Sequence, residues 1–304
     1  MAHWFHRNPI KATEHVGFEL KSILTTPQTS RICSELRLRR DHLLEHFRDA
    51  SNDLDTLDDD FKQYLALFAG FVVAIDGADV SMSKASKLSP VLRFRWTSSM
   101  LGTTASEVNE SWFEVLNMCV NMALWLSKHA AWIAAKDEVF EGDAKKSHTC
   151  LRRAAGILMF VQQNTCRVGG LSAIAGSDFD GAVLSAYINQ FTAEAQEITV
   201  ARAIELKHSP SLISALAHET SEIFAKAGLS AKPESHLFFR RIRPLLERHM
   251  QKAERENGLI YHQKIPDICP EPEGKPTFGL VEAEPFILPP VSPLMIVSTD
   301  AFGV

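Results

Sequence analysis

The sequence predicts an all-α stack of helices of tetratricopeptide type, with minor extended segments at both ends. Apolar residues recur at steps of three and four in several long stretches, and the alternation typical of strands is almost absent. The stretch 180–228 reads as two helices with a very short connection, which is the repeating unit of such stacks. Eight of the fourteen prolines lie within 266–293, so that segment cannot be helical.

Composition and charge are those of a globular protein without a membrane span. Of the 304 residues, 45% are hydrophobic and 23% are charged, which is ordinary for a chain with a sizeable core. The net charge of -5 argues against a general nucleic-acid binder. The five cysteines include no C-x-x-C pair, which argues against a disulfide framework and favours a reducing compartment. The longest apolar run, 65–75, is too short to cross a bilayer, and the N-terminus lacks a signal peptide. We therefore expect a cytoplasmic protein.

Capping residues, prolines and glycines set the limits of the other predicted elements. In chain order we expect extended segments over 3–24, a helix over 31–51, a buried helix over 61–77 behind an acidic run, a polar loop over 77–90, a short strand or anchoring turn over 91–97, helices over 106–138 and 143–164, a loop over 167–181, and, after the helix pair, a linker over 229–235 and a helix over 236–258.

The helix pair from Asp180 to Gly228 has the clearest pattern. Asp180 is placed to cap the first helix. Ser209 can cap the second, and Pro210 fits its first position, where no amide donor is needed. Gly228 is the expected C-terminal stop. A connection this short predicts that the two helices are antiparallel.

One motif suggests a metal site. His42, Glu45 and His46 match the H-x-x-E-H pattern, in which two histidines share a helix face and the glutamate serves as a general base. No third ligand can be picked out, and the intervening leucines are typical of a core stripe. A zinc hydrolase is therefore an alternative hypothesis, and the principal expectation is no metal, no cofactor and no enzymatic activity. A basic cluster over 240–255 predicts either a solvated helix face or a surface for an acidic partner.

Several segments, in order, resemble the BRO-one domain of the Alix and Brox family, most closely its Brox branch. They are HWFHRNPIKAT, FRWT, VLNMCVNMALWLSKHAAWIAA, AEAQEITVARAIELKHSPSLISALAHET and RENGLIYHQKIPD. The resemblance covers roughly 1–290 and leaves 291–304 as a tail. It implies a curved tetratricopeptide-like helical stack with a minor β element near the N-terminus.

The resemblance also implies a function. Members of the family are non-enzymatic adaptors that bind the amphipathic C-terminal helix of an ESCRT-III subunit in an apolar patch. The corresponding apolar contacts are Leu212 and Leu216, which lie one turn apart as a helix-in-groove site requires. Thr199 stands where the Alix type has an aromatic residue. Glu141, or Asp143 nearby, and Lys145 are the charged contacts. Periodicity alone favours a place in the helix core for both leucines over a contact role.

Two departures from the family pattern bear on function. An internal segment of about two hairpins, roughly 34 residues each, is missing after about Ala227. We expect this to expose apolar side chains of the second helix of the pair. No prenylation box is present, so the expected membrane contact is indirect, through ESCRT at endosomal or nuclear membranes. We expect a monomer. A truncated splice or gene-model form with impaired binding is a further alternative.

Overall fold

The computed structural model describes residues 9–19, 26–76, 79–230, 247–248, 251–252, 254–262 and 280–296. Helices dominate, which confirms the predicted all-α class. The elements are α1 (Pro27–His46), α2 (Leu54–Phe68), a 3-10 turn (Ala69–Phe71), β1 (Val73–Asp76), β2 (Asp79–Ala85), β3 (Phe94–Thr97), β4 (Ala105–Val108), α3 (Ser111–Ala134), α4 (Glu141–Asn164), a 3-10 segment (Thr165–Ala173), α5 (Gly181–Glu205), α6 (Pro210–Ser230), a π turn (Asn257–Tyr261) and α7 (Pro293–Ile296).

The described residues fall into two compact units. The N-terminal unit holds those within 8–125, 163–178 and 287–304, and the hairpin unit holds those within 126–162 and 179–286. Because α3 runs through residue 125, it contributes to both units. The domain limit at residue 290 stays a prediction.

A buried ionic network organises the N-terminal unit. Glu114 on α3 accepts hydrogen bonds from Arg40 Nε at 2.7 Å, Trp96 Nε1 at 2.7 Å and Tyr64 Oη at 2.9 Å. Arg40 also donates to the Glu14 carbonyl at 2.9 Å, so the predicted extended N-terminal segment is tied to α1. Glu114 and Arg40 are both fully buried. Burying this charge pair is tolerable because each side is paired and hydrogen-bonded.

The predicted helix over 61–77 is wrong in its second half. The helix α2 also starts earlier than predicted: it begins at Leu54 behind the cap Asp53, so the acidic residues 58–60 lie within it, and it ends at Phe68. The chain then forms β1, which pairs antiparallel with β2. The predicted polar loop over 77–90 therefore contains a strand. Val72, Val73 and Ile75 are β-branched and favour strands.

The predicted strand or turn at 91–97 is the strand β3. It pairs antiparallel with β4, and Thr13 forms an isolated bridge to Trp96. The helix predicted from residue 106 begins at Ser111, because Ala105–Val108 pairs with β3 instead. The predicted loop over 167–181 begins with the C-terminal part of the 3-10 segment.

The hairpin unit contains the predicted helix pair. Asp180 caps α5 by accepting from the Ala182 amide at 2.9 Å, and the Ser209 hydroxyl accepts from the Leu212 amide at 3.3 Å at the start of α6. The connection turns at Lys207, whose φ is 54°. The helix α6 continues to Ser230, so Gly228 does not end it.

The described part of the proline-rich segment forms no helix before Pro293 and packs on α4. Within the hairpin unit, Arg152 Nε donates to the Glu282 carbonyl at 2.7 Å, and the Glu284 amide donates to the Arg152 carbonyl at 3.1 Å. A Cβ on Gly156 would lie 1.7 Å from the Glu284 oxygen, so only glycine permits this approach. In the N-terminal unit, Met295 is fully buried.

Some predicted features lie outside the described residues. These are most of the 229–235 linker, the first half of the 236–258 helix and most of the basic cluster over 240–255. Among the helices that are described, none combines the length and apolar character needed to span a membrane.

Candidate partner-binding surface

A pocket of about 190 Å³ lies between the N-terminal end of α4 and the C-terminal half of α5. Its apolar lining includes Val139, Phe140, Ile198 and Ala201. Phe140 is 67% exposed, an unusual position for a large aromatic side chain. The pocket therefore offers an apolar surface that water reaches and the hairpin unit itself does not cover.

Opposite charges border this pocket. Glu141, the first residue of α4, lies 3.1 Å from the Lys145 ammonium one turn later. Arg202 on α5 lies 3.3 Å from the same Glu141 oxygen and 3.3 Å from a Glu205 oxygen. The hydrogen bond from Lys145, and then the charge of Arg202, hold the pKa of the Glu141 carboxyl below its usual value. The two predicted charged contacts, Glu141 and Lys145, are therefore exposed and already form an ion pair, which Arg202 joins.

Thr199 is buried at the contact between α4 and α5. Its hydroxyl lies 3.4 Å from His148 Nε2 and 3.4 Å from the Ala195 carbonyl. Burial, and then the nearby charge of Arg152, lower the pKa of His148 to about 4. His148 is therefore neutral at pH 7, as its half-buried position requires.

Leu212 and Leu216 have different environments. Leu216 is fully buried in a cluster with Val200, Ala203 and Ala217. Leu212 is half-buried and packs against the edge of the same cluster. A binding partner could therefore contact the exposed part of Leu212. It could not contact Leu216 in this conformation, because that side chain has no exposed surface.

The structure thus joins some of the predicted contacts and separates others. Glu141 and Lys145 meet beside the pocket, whereas Leu212 and Leu216 pack on the face of α5 that carries Val200 and Ala203. Sequence reasoning missed Phe140 and Arg202. A large aromatic next to the charged start of a helix is a signal that could have found Phe140.

The H-x-x-E-H motif is only partly assembled. His42 and His46 face Asp60 of α2, at 3.2 and 3.1 Å between Nδ1 and a carboxylate oxygen. Glu45 instead pairs with Arg48 at 3.0 Å, with both side chains largely exposed. The glutamate that a hydrolase would need as its base is therefore not part of the cluster.

Comparisons with known proteins identify the family. The model of the BRO1-like domain, the BRO-one domain introduced above, matches residues 80–241. A BRO1 domain-containing protein BROX homolog of Caenorhabditis elegans is 43% identical over 95% of this chain and 87% of that protein. Human BROX is 33% identical over 96% of this chain and 88% of its own length. The chain therefore belongs to the BRO1 domain family, and these relatives are BROX proteins.

Solved structures share the fold. ALIX in complex with the SIVmac239 PYKEVTEDL late domain matches with a TM-score of 0.62 and 16% identity, over 95% of this chain and 50% of that one. The ALIX BRO1 CHMP4C complex matches with a TM-score of 0.59 and 15% identity, over 95% and 98%. At this identity the likeness shows the fold.

The alignment lengths reveal a size difference. The alignment with the Caenorhabditis elegans relative runs over 370 residues, at least 66 more than the 304 of this chain. The relative therefore holds internal sequence that this chain lacks. The difference agrees in size with the two predicted missing hairpins, and their position after about Ala227 stays a prediction.

Proposed function

We propose that this protein is a non-enzymatic adaptor that binds the C-terminal amphipathic helix of an ESCRT-III subunit. Membership of the BRO1 domain family is the observation that carries the proposal, because tail-helix binding is the function the family resemblance implies. A protein of the same fold, ALIX, occurs in a complex with CHMP4C, an ESCRT-III subunit. The adaptor would act as a cytoplasmic monomer, bind no nucleic acid, and reach endosomal or nuclear membranes only through ESCRT.

The α4–α5 pocket supports the proposal. At about 190 Å³ it is smaller than the roughly 300–1,000 Å³ typical of small-molecule sites. It suits apolar side chains projecting from a helix that lies across the surface. Glu141, Lys145 and Arg202 would then meet the polar face of that helix and fix its register.

The leucines take separate roles in this proposal. Leu212 contacts the partner helix through its exposed part. Leu216 acts indirectly, since its burial against Val200 and Ala203 holds α6 on α5. Thr199 likewise positions α5 against α4 through its contact with His148.

A peptide titration tests this surface. We expect Phe140→Asp and Leu212→Asp each to weaken binding of a labelled CHMP4C C-terminal peptide by about tenfold or more, because each would place a charge in an apolar contact. Exchanging the charges in a Glu141→Lys, Lys145→Glu double variant should weaken it as well.

Met159→Asp is the matched control. Met159 is also an exposed apolar residue of α4, 41% accessible, but lies about 27 Å along the helix from Glu141. We expect it to leave affinity unchanged. Wild-type affinity in both the Phe140 and Leu212 variants, with helical circular dichroism intact, would exclude this surface.

A truncated splice or gene-model form with impaired binding is the second candidate. The excess of at least 66 aligned positions over the chain length favours it. Such a form would melt without cooperativity and bind a hydrophobic dye. A purified chain that melts cooperatively and does not bind the dye would argue against it.

A further inference from the structure

A cluster of two histidines and an aspartate joins α1 to α2 in the N-terminal unit. His42 Nδ1 lies 3.2 Å and His46 Nδ1 lies 3.1 Å from the same oxygen of Asp60. The two imidazole rings are 4.1 Å apart between centroids. All three potential ligand atoms lie within 4.8 Å of one another.

Local sequence explains half of this arrangement and helix packing the other half. His42 and His46 are one turn apart, so they share a face of α1. Leu43, between them, faces the core and is fully buried. Asp60 comes from α2, which packs along α1. The third ligand could not be read from the motif because it is 14 residues further along, on another helix.

Two of the three ligand spacings fit a tetrahedral metal ion. With bonds of about 2.1 Å, tetrahedral geometry separates neighbouring ligand atoms by roughly 3.4 Å. The two nitrogen–oxygen distances, 3.2 and 3.1 Å, are close to this value. Two imidazoles and one carboxylate are a donor set that suits zinc and its neighbours in the transition series, and not magnesium or calcium.

Unsatisfied polar atoms point to the same conclusion. In the ranges that the structure describes, His46 Nδ1 and Asp60 Oδ2 are buried atoms that make no hydrogen bond despite their close approach. Buried polar atoms without partners are costly. A metal ion coordinated by both would satisfy them.

We propose that His42 Nδ1, His46 Nδ1 and Asp60 Oδ2 bind one zinc-class divalent cation. The side chain of His42 is 58% exposed, so water can reach the site. The ion ties α1 to α2 and thus stabilises the N-terminal unit. Because Glu45 pairs with Arg48, the site has no general base at the bound water, and its role is structural.

Zinc titration of the purified full-length chain, stripped of metal, tests this site. We expect one equivalent of zinc to bind and to raise the melting temperature. Asp60→Asn and His46→Ala should each reduce zinc affinity at least about tenfold, since each removes one of three ligands. His42→Asn should do the same, and its exposed position means that it should fold normally.

Glu45→Gln is the matched control, because it alters the sequence motif but not the structural cluster. We expect it to bind zinc as the wild type does. The site is overturned if the wild type binds no more zinc than the His42→Ala, His46→Ala double variant. It is equally overturned if Glu45→Gln loses zinc while Asp60→Asn retains it, or if zinc leaves the melting temperature unchanged.

Discussion

At the level of single residues, the N-terminal unit depends most on Glu114. Its carboxylate is fully buried and receives hydrogen bonds from Arg40, Trp96 and Tyr64. Neutralising one member of a buried pair leaves the other charge uncompensated, which costs about 3–5 kcal/mol. We therefore expect Glu114→Gln to lower the free energy of unfolding by that amount, measured by urea denaturation.

Glu107→Gln provides the comparison for this substitution. Glu107 of β4 lies 3.3 Å from Arg93, the residue before β3, but both side chains are exposed. Exposed pairs contribute at most about 1 kcal/mol. Equal and small losses for the two variants would mean that Glu114 is not the centre of the buried network.

His148 should make stability depend on pH. Its pKa is lowered to about 4 in the folded protein, against about 6.5 in an unfolded chain. Between these values the unfolded state binds more protons, so stability falls as pH falls. We expect a loss of about 2 kcal/mol between pH 7 and pH 5 from this residue.

Denaturation of a His148→Gln variant checks this assignment. Glutamine does not titrate, so the variant should lose less stability than the wild type between pH 7 and pH 5. Identical losses in the two proteins would assign the pH dependence to other groups.

Sequence reasoning reached single residues only where neighbours along the chain set their role. The caps Asp180 and Ser209 were readable because a cap acts on the next turn. The burial of Leu216 agrees with its periodicity, but the residues that cover it could not be read from the sequence, because Ala203 belongs to another helix. Arg202 and Asp60 were missed for the same reason, since each meets its partner across a helix contact.

At the level of elements, the helices were predicted better than the strands. The α5–α6 pair has strong periodicity and a proline at the start of its second helix, and both are local signals. The β1–β2 hairpin was missed because the apolar run 65–75 fits a buried helix and a buried strand equally well. Asp76 pairs with Asp79, so the sequence between them is only two residues long and begins with a glycine, which is a hairpin signal that the sequence offered.

The docking of the C-terminal segment on α4 can be tested at Gly156. An added Cβ would lie 1.7 Å from the Glu284 backbone oxygen. Backbone cannot move aside cheaply, so we expect Gly156→Ala to displace residues 280–286 and to cost about 1–3 kcal/mol. Limited proteolysis and a thermal melt measure both effects.

Gly142 gives a control on the same helix. A Cβ there meets nothing within 4 Å. We expect Gly142→Ala to be neutral or slightly stabilising, because alanine is the better helix former. Protease resistance equal to the wild type in the Gly156→Ala variant would contradict the docked arrangement.

At the level of the whole molecule, the family was recognisable from the sequence because long, unusual segments occur in the family order. The structural consequence of the missing segment could not be recognised from the sequence. We expected α6 to expose apolar side chains, yet among its described side chains, 210–227, no large apolar one is exposed. Phe224, near its C-terminal end, is fully buried. Sequence comparison shows that residues are absent but not how the remaining helix is covered.

The most direct test of the adaptor proposal is titration of the CHMP4C C-terminal peptide into the purified wild-type chain, with a thermal melt of the same sample. We predict a cooperative melt and saturable binding of one peptide per chain that Phe140→Asp weakens by about tenfold. A cooperatively folded chain that binds no peptide would contradict the proposed function.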